Sequence, residues 1–322
     1  MNKKITILVV VLLVASLAGV FAAGRSETAA PTRLAVATGG TAGVYFPLGG
    51  AFANIITERV DGVTANAEST GASVVNVNLL NNGEVDFALM QNDIAYYAFN
   101  GVEMFSDNPA LTNLRGIAVL YPEVVQIVVN ADAGINSVED LRGRRVAVGA
   151  PGSGAEANAR QILTAHGISY DDIRADFLSF AEAADALRDG NVDAAFVTAG
   201  TPTAAVTDVS TTHNVRLLNI DSSVAASLAA EFPFYDTVTI PAGTYNNQTE
   251  DVQTVTVLAM LSARAGLSDD VVYNITKALF ENLNMFAAAH ARGGNLSLDS
   301  ALSGMPLELH PGAARYFREM GR

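Results

Sequence analysis

The sequence predicts an α/β fold built as two similar lobes that face each other across one cleft. Three observations predict it. Short β-branched runs alternate with helical patterns along the whole chain, the mark of an α/β protein. A second α/β unit begins inside the first. Several strands run directly into turns rich in Gly, hydroxyl and amide residues.

The elements follow in order. Arg33 to Thr38 (RLAVAT) reads as the first strand, followed by a Gly-rich turn and a helix near Tyr45 to Val60. Val63 to Ala67 is the second strand and Ala72 to Asn81 the second helix. Val85 to Met90 (VDFALM) is the third strand, entering a helix at Gln91-Asn92-Asp93. Leu114 to Asn130 reads as two strands with a Pro kink between them. The second unit starts at Ser137 to Asp140, a capping-type helix start. Arg145 to Val148 is a strand leading to a helix at about Ala155 to Ala165. Asp193 to Val197 and Val215 to Ile220 are further strands, and Val252 to Leu261 is strand-like. One long helix is expected over Ser268 to His290, stopped by Gly293-Gly294, and a short last helix after Pro311. The chain is expected to cross between lobes near Tyr121-Pro122 and near Phe234-Tyr235. The lobes are placed at residues 32–121 plus 238–322 and at 122–237.

The first residues speak to the compartment. Lys3 and Lys4 precede an uncharged apolar run of 16 residues, Ile5 to Val20, and Val20-Phe21-Ala22 has the small-residue spacing of a cleavage site. A membrane span needs about 20 apolar residues. Residues 1–22 therefore read as a signal peptide cleaved between Ala22 and Ala23, and 23–31 as a flexible leader. The expected location is periplasmic. The sequence has no cysteine, which excludes a lipidated cysteine, disulfides and thiolate metal sites. Without Lys3 and Lys4, 17 basic residues face 33 acidic ones, a net charge of −16. That balance argues against nucleic acid and anionic membranes as partners.

The chemistry concentrates where strands end. The turns are Gly39 to Tyr45, Ser69 to Ser73, Gln91 to Asp93, Gly149 to Gly154 and Thr198 to Thr203. Each puts Gly, hydroxyl or amide groups at a helix start beyond a strand's carboxyl end, where open α/β sheets bind ligands. Free N–H groups and the helix dipole favour an anion there, and Gly admits close backbone approach. Ordinary helix capping accounts for any one such turn; five of them, spread over two units, point to a shared cleft.

Enzyme motifs are lacking. Gly149 to Gly154 continues without the Lys-Ser/Thr of a P-loop, and Ser153 lacks the spacing of a nucleophile elbow. His166, His213, His290 and His310 are far apart, so neither a metal site nor a base for Ser153 is expected.

The same turns carry a resemblance. GGTAGVYFPLG (Gly39 to Gly49), ESTGASVVN (Glu68 to Asn76) and DFALMQND (Asp86 to Asp93) resemble the N-terminal lobe of TAXI-type solute-binding proteins, the extracytoplasmic receptors of one class of TRAP transporters. LYPEVVQIVV (Leu120 to Val129), VAVGAPGSG (Val146 to Gly154), DAAFVTAGTPTAAV (Asp193 to Val206) and ELHPGAARYFREMG (Glu308 to Gly321) continue it over the mature chain. The resemblance implies a two-lobed periplasmic-binding-protein fold, type II-like, with no catalysis. It also implies ion-driven uptake through a separate membrane subunit. Its associated ligands are glutamate, glutamine and carboxylates such as 2-oxoglutarate. One departure is Ala155, where the family often has Thr; the exchange removes a hydroxyl.

The ligand is expected between the lobes with no cofactor, bound by a monomer. Thr41 and Tyr45 are placed at the first helix start, Ser69, Thr70, Gly71 and Ser73 at the second, and Gln91 and Asp93 at the third. Ser153 and Gly154, with Thr198 and Thr201, are placed across from them, and Tyr121 and Glu123 at the crossing. Asp93 and Glu123 are suited to the ammonium of an amino acid. A phosphate or oxyanion receptor, a sensory binding protein and an extracytoplasmic hydrolase using Ser153 are the alternatives.

Overall fold

The computed structural model describes residues 32–107 and 109–322. The expected signal peptide and leader lie outside the described residues. The chain runs through strand β1 (Thr32–Ala37), helix α1 (Tyr45–Arg59), β2 (Val63–Glu68), α2 (Ser73–Asn82), β3 (Phe87–Gln91) and α3 (Asn92–Asn100). It continues through β4 (Leu114–Asn130), β5 (Arg145–Ala147), α4 (Gly154–Ala165), β6 (Arg174–Asp176), α5 (Phe180–Arg188), β7 (Ala194–Ala199) and α6 (Ala204–Thr212). Then come β8 (Val215–Leu217), α7 (Ser222–Glu231), β9 (Asp236–Ile240), β10 (Val252–Arg264), α8 (Asp269–Glu281), α9 (Leu283–Ala289) and α10 (Pro311–Glu319).

The strands form one sheet in the order β2-β1-β3-β10-β4-β7-β5-β6, with β8 beside β4 and β9 beside β10. β1 and β3 are parallel, as are β5, β6 and β7, so each group sends its carboxyl ends to one side. The long antiparallel pair β4 and β10 joins the two groups. At one end, Leu114 to Val119 and Met260 to Arg264 pair beside β3. At the other, Val124 to Val129 pair with β7, and Val252 to Thr256 pair with β9.

The expected break inside Leu114 to Asn130 is absent: β4 is one strand of 17 residues. What the Pro marked is a bulge. Ala259 faces Tyr121 and Met260 faces Val119, which leaves Leu120 as an extra residue. A bulge bends the strand and raises its twist, and Pro is tolerated beside one. The expected helix over Ser268 to His290 is two helices, α8 and α9, separated by Asn282. The Asn282 side chain donates to the Ala278 carbonyl at 2.8 Å, the local competition that makes Asn a poor interior residue. The Ser137 start caps a 3₁₀ turn, Val138–Leu141, with both capping-box bonds formed. β6, α5, α7 and β9 escaped the sequence pattern, and α6 was read only as a helix start after Thr203. For α5 the signal was present, since Ser179 and Glu182 form a capping box.

Packing follows the two ends of the long strand pair. One buried cluster gathers Ile127, Ile162, Phe196 and Val257; another gathers Ala37, Leu80, Phe105, Leu114 and Met260. Helix α1 supplies Leu48, Phe52, Ile55 and Ile56 to a third, larger cluster, the i, i+4, i+7 stripe of an amphipathic helix.

Candidate functional site

The turns after β1 and β3 and the start of α2 face those after β5 and β7 across a cavity. It is lined by Tyr45, Ser73, Gln91, Glu123, Ser153, Gly154 and Thr198, half of the residues singled out in the sequence. Thr70 and Gly71 line an adjoining recess that shares Ser153 and Phe180 with it. The remaining five lie outside the lining. Thr41 and Ser69 are exposed, and the Ser69 hydroxyl donates to the Gly39 carbonyl at 2.9 Å. Thr201 is held by Arg292, whose Nη2 donates to its Oγ1 at 2.9 Å. Tyr121 and Asp93 are buried outside the lining, Tyr121 bonded to Glu123 and Asp93 to Asn158.

Two buried polar atoms in the lining lack a partner. Gln91 is 2% exposed and Thr198 4% exposed, yet Gln91 Oε1 and Thr198 Oγ1 accept and donate nothing. A buried polar atom without a partner costs about 1–3 kcal/mol. The two atoms come from β3 and β7, on opposite sides of the cavity. The backbone N–H groups of Ser73, Gly154 and Ala155 are also free among the described residues. They belong to the first turns of α2 and α4, where the helix dipole favours an anion. The Ser153 hydroxyl caps α4 by accepting from the Glu156 N–H at 3.1 Å, and Ser73 Oγ accepts from the Gln91 N–H at 3.1 Å. Both keep a hydroxyl proton to donate.

Glu123 is the one carboxyl in the lining. Its Oε2 accepts from the Tyr45 hydroxyl at 2.8 Å and its Oε1 from the Tyr121 hydroxyl at 3.4 Å, and the Gln91 side chain also stands within hydrogen-bond reach of it. Burial outweighs these bonds and pushes its pKa up to about 8. Burial, then the neighbouring Glu123, raises Tyr45 well above the ordinary tyrosine value, so the phenol stays a donor. Asp93 is raised to about 6, again by burial first. Its carboxylate accepts from the Ile94 N–H at 2.8 Å and from Asn158 Nδ2 at 3.1 Å.

The glycines expected to admit a ligand serve protein contacts. A Cβ on Gly154 would stand 1.9 Å from Gln91 Oε1, and one on Gly71 would stand 3.2 Å from the Pro151 carbonyl across the cleft. Between them Ala72 takes φ +69°, a conformation costing a residue with a Cβ about 1–3 kcal/mol.

A model described as the NMT1-like family matches residues 36–321. The chain belongs to the NMT1-like family. Solved structures are similar to this NMT1-like chain at low identity. PhnD1 from Prochlorococcus marinus, solved with methylphosphonate, is 13% identical with a TM-score of 0.55, covering 90% of this chain and 99% of that one. A Xanthomonas citri protein solved with ATP is 14% identical with a TM-score of 0.51, covering 90% and 95%. The periplasmic aliphatic sulphonate binding protein SsuA from Escherichia coli is 17% identical with a TM-score of 0.45, covering 89% and 83%. The NMT1-like chain thus has the expected two-lobed periplasmic-binding-protein fold.

Several residues of the NMT1-like site went unread in the sequence. Phe180 closes one side of the cavity from the start of α5, and Ala72 and Ala155 line it. Asn158, one turn beyond Gly154 on the same face of α4, was legible as an Asn inside an apolar helix pattern. No histidine lines the cavity, and no cluster of metal-ligating side chains occurs among the described residues. No described helix is long and apolar enough to cross a membrane.

Proposed function

We propose that this chain is an exported solute receptor that captures a small amino acid or related carboxylate in the cleft and delivers it to a membrane transporter. The observation that carries this is the pair of unpartnered buried atoms, Gln91 Oε1 and Thr198 Oγ1, on opposite walls of one cavity. A ligand bridging them satisfies both. The free N–H groups of Ser73, Gly154 and Ala155 suit a carboxylate. Glu123 and the acceptor oxygen of Gln91 suit the donor end of the same molecule. The motifs shared with TAXI-type receptors support a TRAP-type membrane partner, a periplasmic location after cleavage near Ala23, and glutamate, glutamine or 2-oxoglutarate as first candidates. The bulge at Leu120 supports a hinge there, between lobes taken as 32–121 plus 238–322 and 122–237.

A second class, a tetrahedral oxyanion, is favoured by the same free N–H groups. An acceptor-only oxyanion leaves Gln91 Oε1 unsatisfied, which places it second. The test is a melting-temperature screen of purified mature protein. A ligand bound only by the folded state at 100 times its Kd stabilises by about 2.7 kcal/mol. Amino acids or carboxylates should give that rise, with no response to sugars or metal ions. A rise with phosphate or a phosphonate alone would favour the second class; a rise with a sugar alone would overturn both.

A further inference from the structure

Asp93 is fully buried, bears on no surface, and lies behind the cavity wall. Its surroundings form a continuous chain of hydrogen bonds that ends at Gln91, a residue of the cavity lining. We infer, on the solute-receptor reading above, that Asp93 acts through Asn158 to hold the Gln91 amide with its oxygen toward the cleft. The site thereby selects a solute that presents a hydrogen-bond donor, an amine, amide N–H or hydroxyl, at that point.

The polarity propagates one bond at a time. Asp93 Oδ1 accepts from the Ile94 N–H at 2.8 Å, and Oδ2 accepts from Asn158 Nδ2 at 3.1 Å. An ionised carboxylate only accepts, and a carboxyl raised to about 6 is ionised at neutral pH. The same Asn158 nitrogen donates to the Tyr235 hydroxyl oxygen at 2.8 Å. Tyr235 commits its own proton to Gln161 Oε1 at 2.7 Å, so it too is an acceptor toward Asn158. Two acceptors hold the Asn158 amide nitrogen to one side, and its oxygen is left facing Gln91. That oxygen requires a donor, and Gln91 Nε2 supplies it at 3.0 Å. Gln91 Oε1 is then the end left over, unpartnered in the cavity wall.

The chain is closed to water. Asp93 and Asn158 are 0% exposed, Gln91 2% and Tyr235 4%, so solvent cannot replace a mismatched partner. Gly154 completes the path, since any Cβ there would occupy the place of the Gln91 oxygen. Asp93 touches no ligand space and is a positioning residue.

The test compares two acids with one carbon skeleton. L-glutamate carries an amine donor where 2-oxoglutarate carries a keto acceptor. Calorimetric titration of wild type should favour L-glutamate by tenfold or more. Asp93→Asn frees the Asn158 amide to turn, and the preference should shrink about tenfold. An undiminished preference in Asp93→Asn, or a wild-type preference for the keto acid, would overturn the selection. Neutron diffraction of ligand-free wild-type crystals reads the relay without a ligand or a variant. One of the two deuteriums on Gln91 Nε2 should lie on the line to Asn158 Oδ1; an amide turned so that its oxygen faces Asn158 and neither deuterium does sinks the relay. If neither acid binds, the carboxylate-receptor reading and the selection built on it fall together, while the deuterium positions still decide the orientation of Gln91.

Discussion

Glu123 shows how one residue ties stability to burial. Its neutral form suits the buried site, and its pKa rises from the ordinary 4.5 to about 8. The folded state therefore binds a proton that the unfolded state releases between those values. Such a group stabilises fully below the unfolded value, and its contribution is lost as pH rises through the folded one. The ligand-free protein should lose stability between about pH 5 and pH 8, by at most about 1.4 kcal/mol per pH unit for this proton. Asp93, raised to about 6, adds the same trend at the acid end. Glu123→Gln should flatten the curve above pH 6. Urea unfolding midpoints across that range give the comparison, and an identical slope in the variant would mean that Glu123 is already ionised at neutral pH.

At the scale of the element, α4 does two jobs with one face. Its first turn offers the free N–H groups of Gly154 and Ala155, and one turn on it presents Asn158 to Gln91. Residues four apart share a helix face, so Gly154 is small because the Gln91 amide passes over it to reach Asn158. Gly154→Ala should drive Gln91 off its bond and into the cavity. The cost should be about 1–3 kcal/mol of stability, as for overpacking a core, with solute affinity falling more than tenfold. Denaturant melts and calorimetry on the same variant separate the two effects. Full retention of both would show that Gln91 has another place to go.

Across the whole molecule, the cleft is bridged at its edge. The Val75 N–H donates to the Gly152 carbonyl at 3.1 Å, and Gln91 and Asp93 both reach Asn158 on the opposite side. β4 and β10 run through both ends of the sheet, and β4 bulges at Leu120. On the proposed lobe division, opening breaks those contacts together with Tyr45–Glu123 and Arg292–Thr201 and bends the long strands. Small-angle scattering should find a larger radius of gyration for the ligand-free protein than for the liganded one, with the liganded profile matching the bridged cleft described above. Equal profiles with and without a bound solute would argue for a rigid cleft.

The sequence by itself determined the α/β class, most element positions and the turns around the cavity. Those depend on periodicity, capping and turn residues, which act over a few neighbours. Ser73, Gln91, Ser153, Gly154 and Thr198 were legible for that reason, each standing at a strand's end or a helix's start. Tertiary structure decided the rest. It joined Leu114 to Asn130 into one strand, because β10 pairs with it through Pro122 and β7 takes up its other edge from Val124. It withdrew Asp93 from the cleft and set Asn158 between it and Gln91, through bonds spanning 65 and 67 residues of sequence. Which hydroxyls and amides keep a free atom depends on such distant partners, and no local pattern encodes them.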